Sequence, residues 1–81
     1  MDKQKLVDDL CAAWPSPLVA RNKAPEFLGG GIAVGTLANK DSLGVGPKEK
    51  FYVNGRIVYD KRSLAEWFVG MAEPCDPRVQ G

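Results

Sequence analysis

The sequence predicts a mostly α fold carrying one small β-hairpin, in the order helix, helix, tight turn, helix, hairpin, helix. Apolar residues recur at helical spacing near the N-terminus and again after Asp60, a glycine run separates two short helical segments, and Asn54-Gly55 divides two β-prone runs. A chain of 81 residues has room for one modest core. Its 44% hydrophobic content is too high for a chain that stays unfolded.

The first helix is expected over residues 3–13. Leu6, Val7, Leu10, Cys11 and Trp14 fall on a single helical face. "WPSP" then ends it, because proline lacks the backbone donor and disfavours helix in the residue before it. This helix (1–14) is an addition in front of the main domain (15–69); packing on the domain is the simpler expectation for it, and contact with a partner through its face with Trp14 is the alternative. A second, short helix is expected within "ARNKAPEFLGGG", with Asn22 as N-cap, Pro25 in the first turn, and Phe27 and Leu28 buried. Gly29 to Gly31 end it and turn the chain.

The third helix, about 33–43, lies in "IAVGTLANKDSLG". Ile32, Leu37 and Leu43 are its expected buried points, and Gly44 sits where a left-handed C-cap is wanted. "KFYV" and "RIVY" flank Asn54-Gly55, a dipeptide whose two residues both tolerate positive φ, so a hairpin is expected over 50–59. Alternation along each strand should bury half of its side chains. Asp60 then caps a last helix with Leu64, Trp67 and Phe68 on its apolar face. Residues 70–81, with two prolines and two glycines, read as a flexible tail.

Composition removes several functions. No histidine is present for general base work or a cysteine–histidine pair, and the carboxylates are scattered, with Asp41, Asp60 and Glu66 reading as surface or capping residues. The expectation is a protein that is no enzyme, with no metal and no cofactor. "GGIAVGT" has the outer glycine spacing of a phosphate loop, but Thr36 stands where lysine is required, and "GVGPKE" fails as a dinucleotide fingerprint. Acidic residues near the N-terminus and the lack of a long apolar run predict a cytoplasmic protein without a membrane span. Cys11 and Cys75 then read as free thiols, with a disulfide between them as the alternative.

Net charge is +1, but residues 15–63 hold eight cations against four carboxylates, while both ends are slightly acidic. A basic middle points to an anionic partner. Two short helices joined by a tight glycine turn are the local form of a helix-turn-helix, whose second helix offers its N-terminal residues to base edges in the major groove. Gly35, Thr36, Asn39 and Lys40 share one helical face, with Leu37 pointing inward. Asn39 suits a bidentate contact to adenine, Lys40 a guanine or phosphate, and Thr36 a phosphate or a thymine methyl. The hairpin after this helix would be a wing, its tip at Asn54, Gly55 and Arg56 reaching flanking backbone or minor groove.

The stretch "LVARNKAPEFLGGGIAVGTLANKDSLGVGPKEKFYVNGRIVYDKRSLAEWF", and above all "TLAN", "DSLGVGP", "FYVNGRIVY" and "SLAEWF" in that order, resembles the excisionase-like, prophage-regulator family. The resemblance covers residues 18–68 and implies a winged helix-turn-helix of the excisionase-like and MerR-like kind, here with an extra N-terminal helix. It implies binding to double-stranded DNA as an excision accessory or transcriptional regulator of prophage genes, with no enzymatic activity and no cofactor. Further partners under this resemblance are a second copy, as a dimer or cooperative array, or an integrase. The family usually has a basic residue at the position of Gly35, often an aromatic at Lys40, and often a basic residue at Leu43.

On this reading Arg21 and Lys23 anchor phosphate, Thr36, Asn39 and Lys40 probe bases, Lys50, Asn54 and Arg56 serve the wing, and Lys61 and Arg62 touch backbone. The alternative is a protein-interaction adaptor on the same scaffold without DNA binding. Gly35 and the near-neutral total favour that alternative, because fold does not fix function.

Overall fold

Asp2 starts the first helix by accepting from the Lys5 amide, and Trp14, held extended ahead of Pro15, stops it. The computed structural model describes residues 2–72. Within them the elements are α1 (Lys3–Ala13), β1 (Leu18–Ala20), a 3-10 turn (Arg21–Lys23), α2 (Ala24–Phe27), α3 (Val34–Ser42), β2 (Lys50–Val53), β3 (Arg56–Asp60) and α4 (Lys61–Gly70). The result is a small α/β domain whose helices pack on a three-stranded antiparallel sheet of order β1-β3-β2. No helix among the described residues is long and apolar enough to cross a membrane.

Helix α1 joins the common core. Val7 and Cys11, one turn apart, are buried, and Cys11 is a free thiol; Leu6, Leu10 and Trp14 pack half-buried around them. Lys61 Nζ donates to the Cys11 and Trp14 carbonyls at 2.9 and 3.0 Å, adding to the bond that the Trp14 amide makes to the Cys11 carbonyl at the end of α1. The Trp14 ring stands edge-on to Phe27 at 5.5 Å, and its Nε1 donates to the Leu18 carbonyl at 3.0 Å. Trp14 thus packs on the domain, the simpler of the two expectations for this helix.

The sheet is larger than the expected hairpin. Val19 in β1 pairs with Tyr59 in β3, and both are wholly buried. Three residues are too few for alternation to be legible, so "LVA" gives no clear strand signal in the sequence. The chain leaves β1 directly into the 3-10 turn, so Asn22 lies inside that turn and not at an N-cap. Lys23 precedes α2 without a capping side chain, and Pro25 occupies its first turn, where a missing amide costs little.

Helices α2 and α3 end in the same way. Gly29 (φ 66°) and Gly44 (φ 75°) take the left-handed position. Gly30 and Gly29 donate to the Pro25 and Glu26 carbonyls, and Val45 and Gly44 to those of Lys40 and Asp41. This is the Schellman closure, and it needs a residue free to adopt positive φ.

Leu37 is wholly buried and Ile32 is buried just ahead of α3, but Leu43 is 66% exposed. The correction follows from helical spacing: Leu43 falls one and two turns beyond Asn39 and Thr36, on the outer stripe. Asn54 and Gly55 turn the hairpin with φ of 51° and 78°. The expected half-burial of β2 does not occur, since every residue of that strand is exposed. It is an edge strand, and the helices reach the sheet over β1 and β3. Asp60 caps α4 by accepting from the Ser63 amide. The expected tail falls largely outside the described residues, as does Cys75.

Candidate functional site

The outer stripe of α3 is the surface the sequence singled out. Gly35, Thr36 and Asn39 are exposed and Lys40 is half-buried. The first amide of α3 bonded within the helix is that of Leu37, to the Ala33 carbonyl. Ala33 has no capping side chain and the first turn holds no acidic residue. The positive end of the helix is therefore not neutralised by a capping carboxylate.

The hairpin tip stands beside the start of this helix. Gly55 and Arg56 line a cleft of about 270 Å³ together with Arg21 and Asn22 of the 3-10 turn and Val34 of α3. Exposed Arg56 therefore borders the same cleft as the head of α3, and exposed Asn54 precedes Gly55 of that cleft in the turn.

The cations divide into two groups. Asp41, on the inner stripe of α3 one turn beyond Leu37, gathers Arg21 Nη2 at 2.7 Å, Lys50 Nζ at 3.2 Å and the Tyr59 hydroxyl. Arg21 Nε also donates to the Tyr59 hydroxyl at 3.0 Å. The Asp41 side chain is only 7% exposed. Burial works to raise its carboxyl, but hydrogen bonds from Tyr59, Arg21 and Lys50 outweigh burial and hold it below its ordinary value. Burial pushes the Tyr59 phenol up to about 12, and the adjoining Asp41 carboxylate adds to the rise.

Arg21 and Lys50, expected at phosphate and at the wing, thus serve to tie α3 to the 3-10 turn and the sheet. Lys61 closes the end of α1, and Arg62 meets Asp8 of α1 at 3.1 Å across an exposed contact. By contrast, Lys23, Lys40, Lys48 and Arg56 make no ion pair among the described residues.

Asp41 is the residue that sequence reading misplaced, as a surface carboxylate. The four-residue step from buried Leu37 is the signal that places it inward. Gly46 is a second signal: a Cβ there would collide with the Asp41 carboxylate, so the loop after α3 closes over Asp41 only with glycine at that position. Trp67 Nε1 donates to the Val45 carbonyl at 2.8 Å and Pro47 is fully buried, which holds this loop against α4.

Comparison with protein-family models, with curated proteins and with solved structures finds no match to this chain. The excisionase-like resemblance therefore rests on the residue pattern alone.

Proposed function

We propose that this chain is a sequence-specific DNA-binding protein with a winged helix-turn-helix, α2 and α3 forming the helix-turn-helix and β2–β3 the wing. The observation that carries the reading is the polar stripe of α3, with Thr36 and Asn39 exposed and Lys40 half-buried, on a helix whose first residue, Val34, shares a cleft with the hairpin tip. Asn39 reads a base in the major groove, Thr36 and Lys40 contact base or phosphate beside it, and Asn54 with Arg56 holds the flanking strand. Lys23 adds a phosphate contact from the 3-10 turn. Excision accessory and transcriptional regulator are both within this reading, with double-stranded DNA as the partner and no catalytic step.

The division of the cations limits affinity. With Lys23, Lys40, Lys48 and Arg56 as the cations of the basic middle that make no ion pair or structural hydrogen bond among the described residues, these four neutralise about four phosphates and contribute a salt slope of about −4. The test is titration with a random duplex at low salt while backbone amides are followed. Shifts confined to residues 35–40 and 54–56 are expected. Their absence at every duplex concentration overturns the reading.

One observation favours the adaptor alternative: Leu43 is exposed on the same stripe as Thr36 and Asn39, where an apolar residue suits a protein surface better than a duplex. On that reading the stripe stays silent to DNA.

A further inference from the structure

The two faces of the sheet are unlike. Pairing register fixes which side chains share a face: Val19, Tyr59, Ile57, Tyr52 and Lys50 lie on one, where the helices bury Val19 and Tyr59 and half-bury Ile57 but leave Tyr52 of the edge strand exposed. The other face carries Leu18 and Ala20 from β1, Val58 from β3, and Phe51 and Val53 from β2. Leu18, Phe51 and Val53 are 43%, 47% and 49% exposed, and none of these side chains belongs to the buried cluster. An antiparallel sheet with one face in water ordinarily alternates apolar inside and polar outside. Here every outward position except Arg56 and Asp60, at the two ends of β3, is apolar, and Ala20, Val58 and Phe51 form a continuous row across all three strands. The apolar surface continues past the edge of β1 into a groove of about 550 Å³ whose walls include Leu10, Trp14 and Phe27.

We infer that this open sheet face is the interface of a homodimer, with a second copy of the chain as its occupant. Charge selects that occupant. Arg56 and Asp60 lie on the same outward face at opposite ends of β3, and Val58 lies midway between them. A two-fold axis in the interface plane, perpendicular to β3 and passing over Val58, sets β3 of the second copy antiparallel to the first. Arg56 then stands over Asp60 of the second copy, and Asp60 over its Arg56, on either side of the apolar row. The surface is complementary to itself, which is what an isologous dimer requires. Two such sheets pack about 10 Å apart, and the row from Ala20 to Phe51 fills the space between them. A net charge of +1 opposes the pairing little. The interface shares Arg56 with the proposed hairpin contact to DNA but does not involve Thr36, Asn39 or Lys40, so substitutions at Phe51 and at Asn39 separate the two.

The test is sedimentation equilibrium of the full chain over about 5 µM to 1 mM, without DNA. The expected result is a mass that rises with concentration from 8.8 kDa toward twice that value. Phe51→Glu and Leu18→Lys, at positions already exposed in the monomer, should each weaken the dimer at least tenfold while keeping the wild-type circular dichroism and melting temperature. Asn39→Ala should leave the mass curve unchanged. A monomer up to 1 mM overturns the proposal, and so does a dimer that both substitutions leave intact. Concentration-independent nuclear Overhauser contacts between residues 73–81 and Phe51 would assign the face to the chain's own tail and equally overturn it.

Discussion

The two sides of α3 differ more than the sequence between them suggests. On the inner side, Leu37 is wholly buried and Asp41 is held by Arg21, Lys50 and Tyr59, so its side chains fix the helix to the 3-10 turn, the sheet and the hairpin. On the outer side, Thr36 and Asn39 are exposed and Leu43 stands in solvent. The same helix is a structural strut on one stripe and an open surface on the other. Charged residues near a candidate surface are not thereby part of it: Arg21 and Lys50 neighbour the hairpin and the helix, yet both are tied to one buried carboxylate, which offsets half of their charge.

Substitutions on each side should separate these roles. Leu37→Ala removes the apolar anchor of the inner stripe and should destabilise the fold by about 2 to 5 kcal/mol in chemical denaturation. A loss below about 1 kcal/mol would mean that α3 is not held by its inner side. Asp41→Asn leaves Arg21 and Lys50 without their counter-charge. The expected cost is about 2 to 3 kcal/mol, less than for a fully buried pair because both cations keep access to water. Gly46→Ala should act in the same direction by displacing the Asp41 carboxylate, and combining it with Asp41→Asn should cost less than the sum.

The same network sets a pH profile. Asp41 has a native value below its ordinary 3.8, so its stabilisation is complete above that pH and is lost as pH falls through the lowered native value. Tyr59 behaves oppositely. Its native phenol keeps the proton to about 12 where an ordinary tyrosine titrates at 10.0, so this stabilisation is complete below pH 10.0 and is lost as pH climbs to 12. Denaturation followed across both limbs should show a plateau between them. Tyr59→Phe should remove the alkaline limb, and its survival in that variant would assign the limb to another group.

The outer stripe should show the smallest effect on folding. Asn39→Ala is expected to change stability by less than about 0.5 kcal/mol, as exposed substitutions do. In a selected-oligonucleotide experiment it should relax discrimination at one base pair by about 1 to 3 kcal/mol. Unchanged preference at every position would remove Asn39 from the proposed readout.

Much of the local structure was legible because its causes are local. Asp60 caps a helix from one position before it, Gly44 takes the positive φ that closes α3, and Asn54-Gly55 makes the hairpin turn. The spacing of Leu6, Val7, Leu10 and Cys11 was enough to draw α1 and its buried side. The candidate surface was legible in part, since Thr36 and Asn39 do face outward. The cations around it were not, because a lysine or arginine reads alike in sequence whether its partner is water, a phosphate or a carboxylate many residues away.

The sequence by itself determined where helices start and stop, where the hairpin turns, and which stripe of α3 is polar, because capping, φ preference and helical period act within a few residues. Only the tertiary structure decided that β1 completes a sheet, that Asp41 gathers Arg21, Lys50 and Tyr59 from three other elements, and that an apolar sheet face is left open. Each of these depends on residues distant in the chain meeting in space, and hydrogen-bond ladders, charge pairing and burial are settled by that meeting.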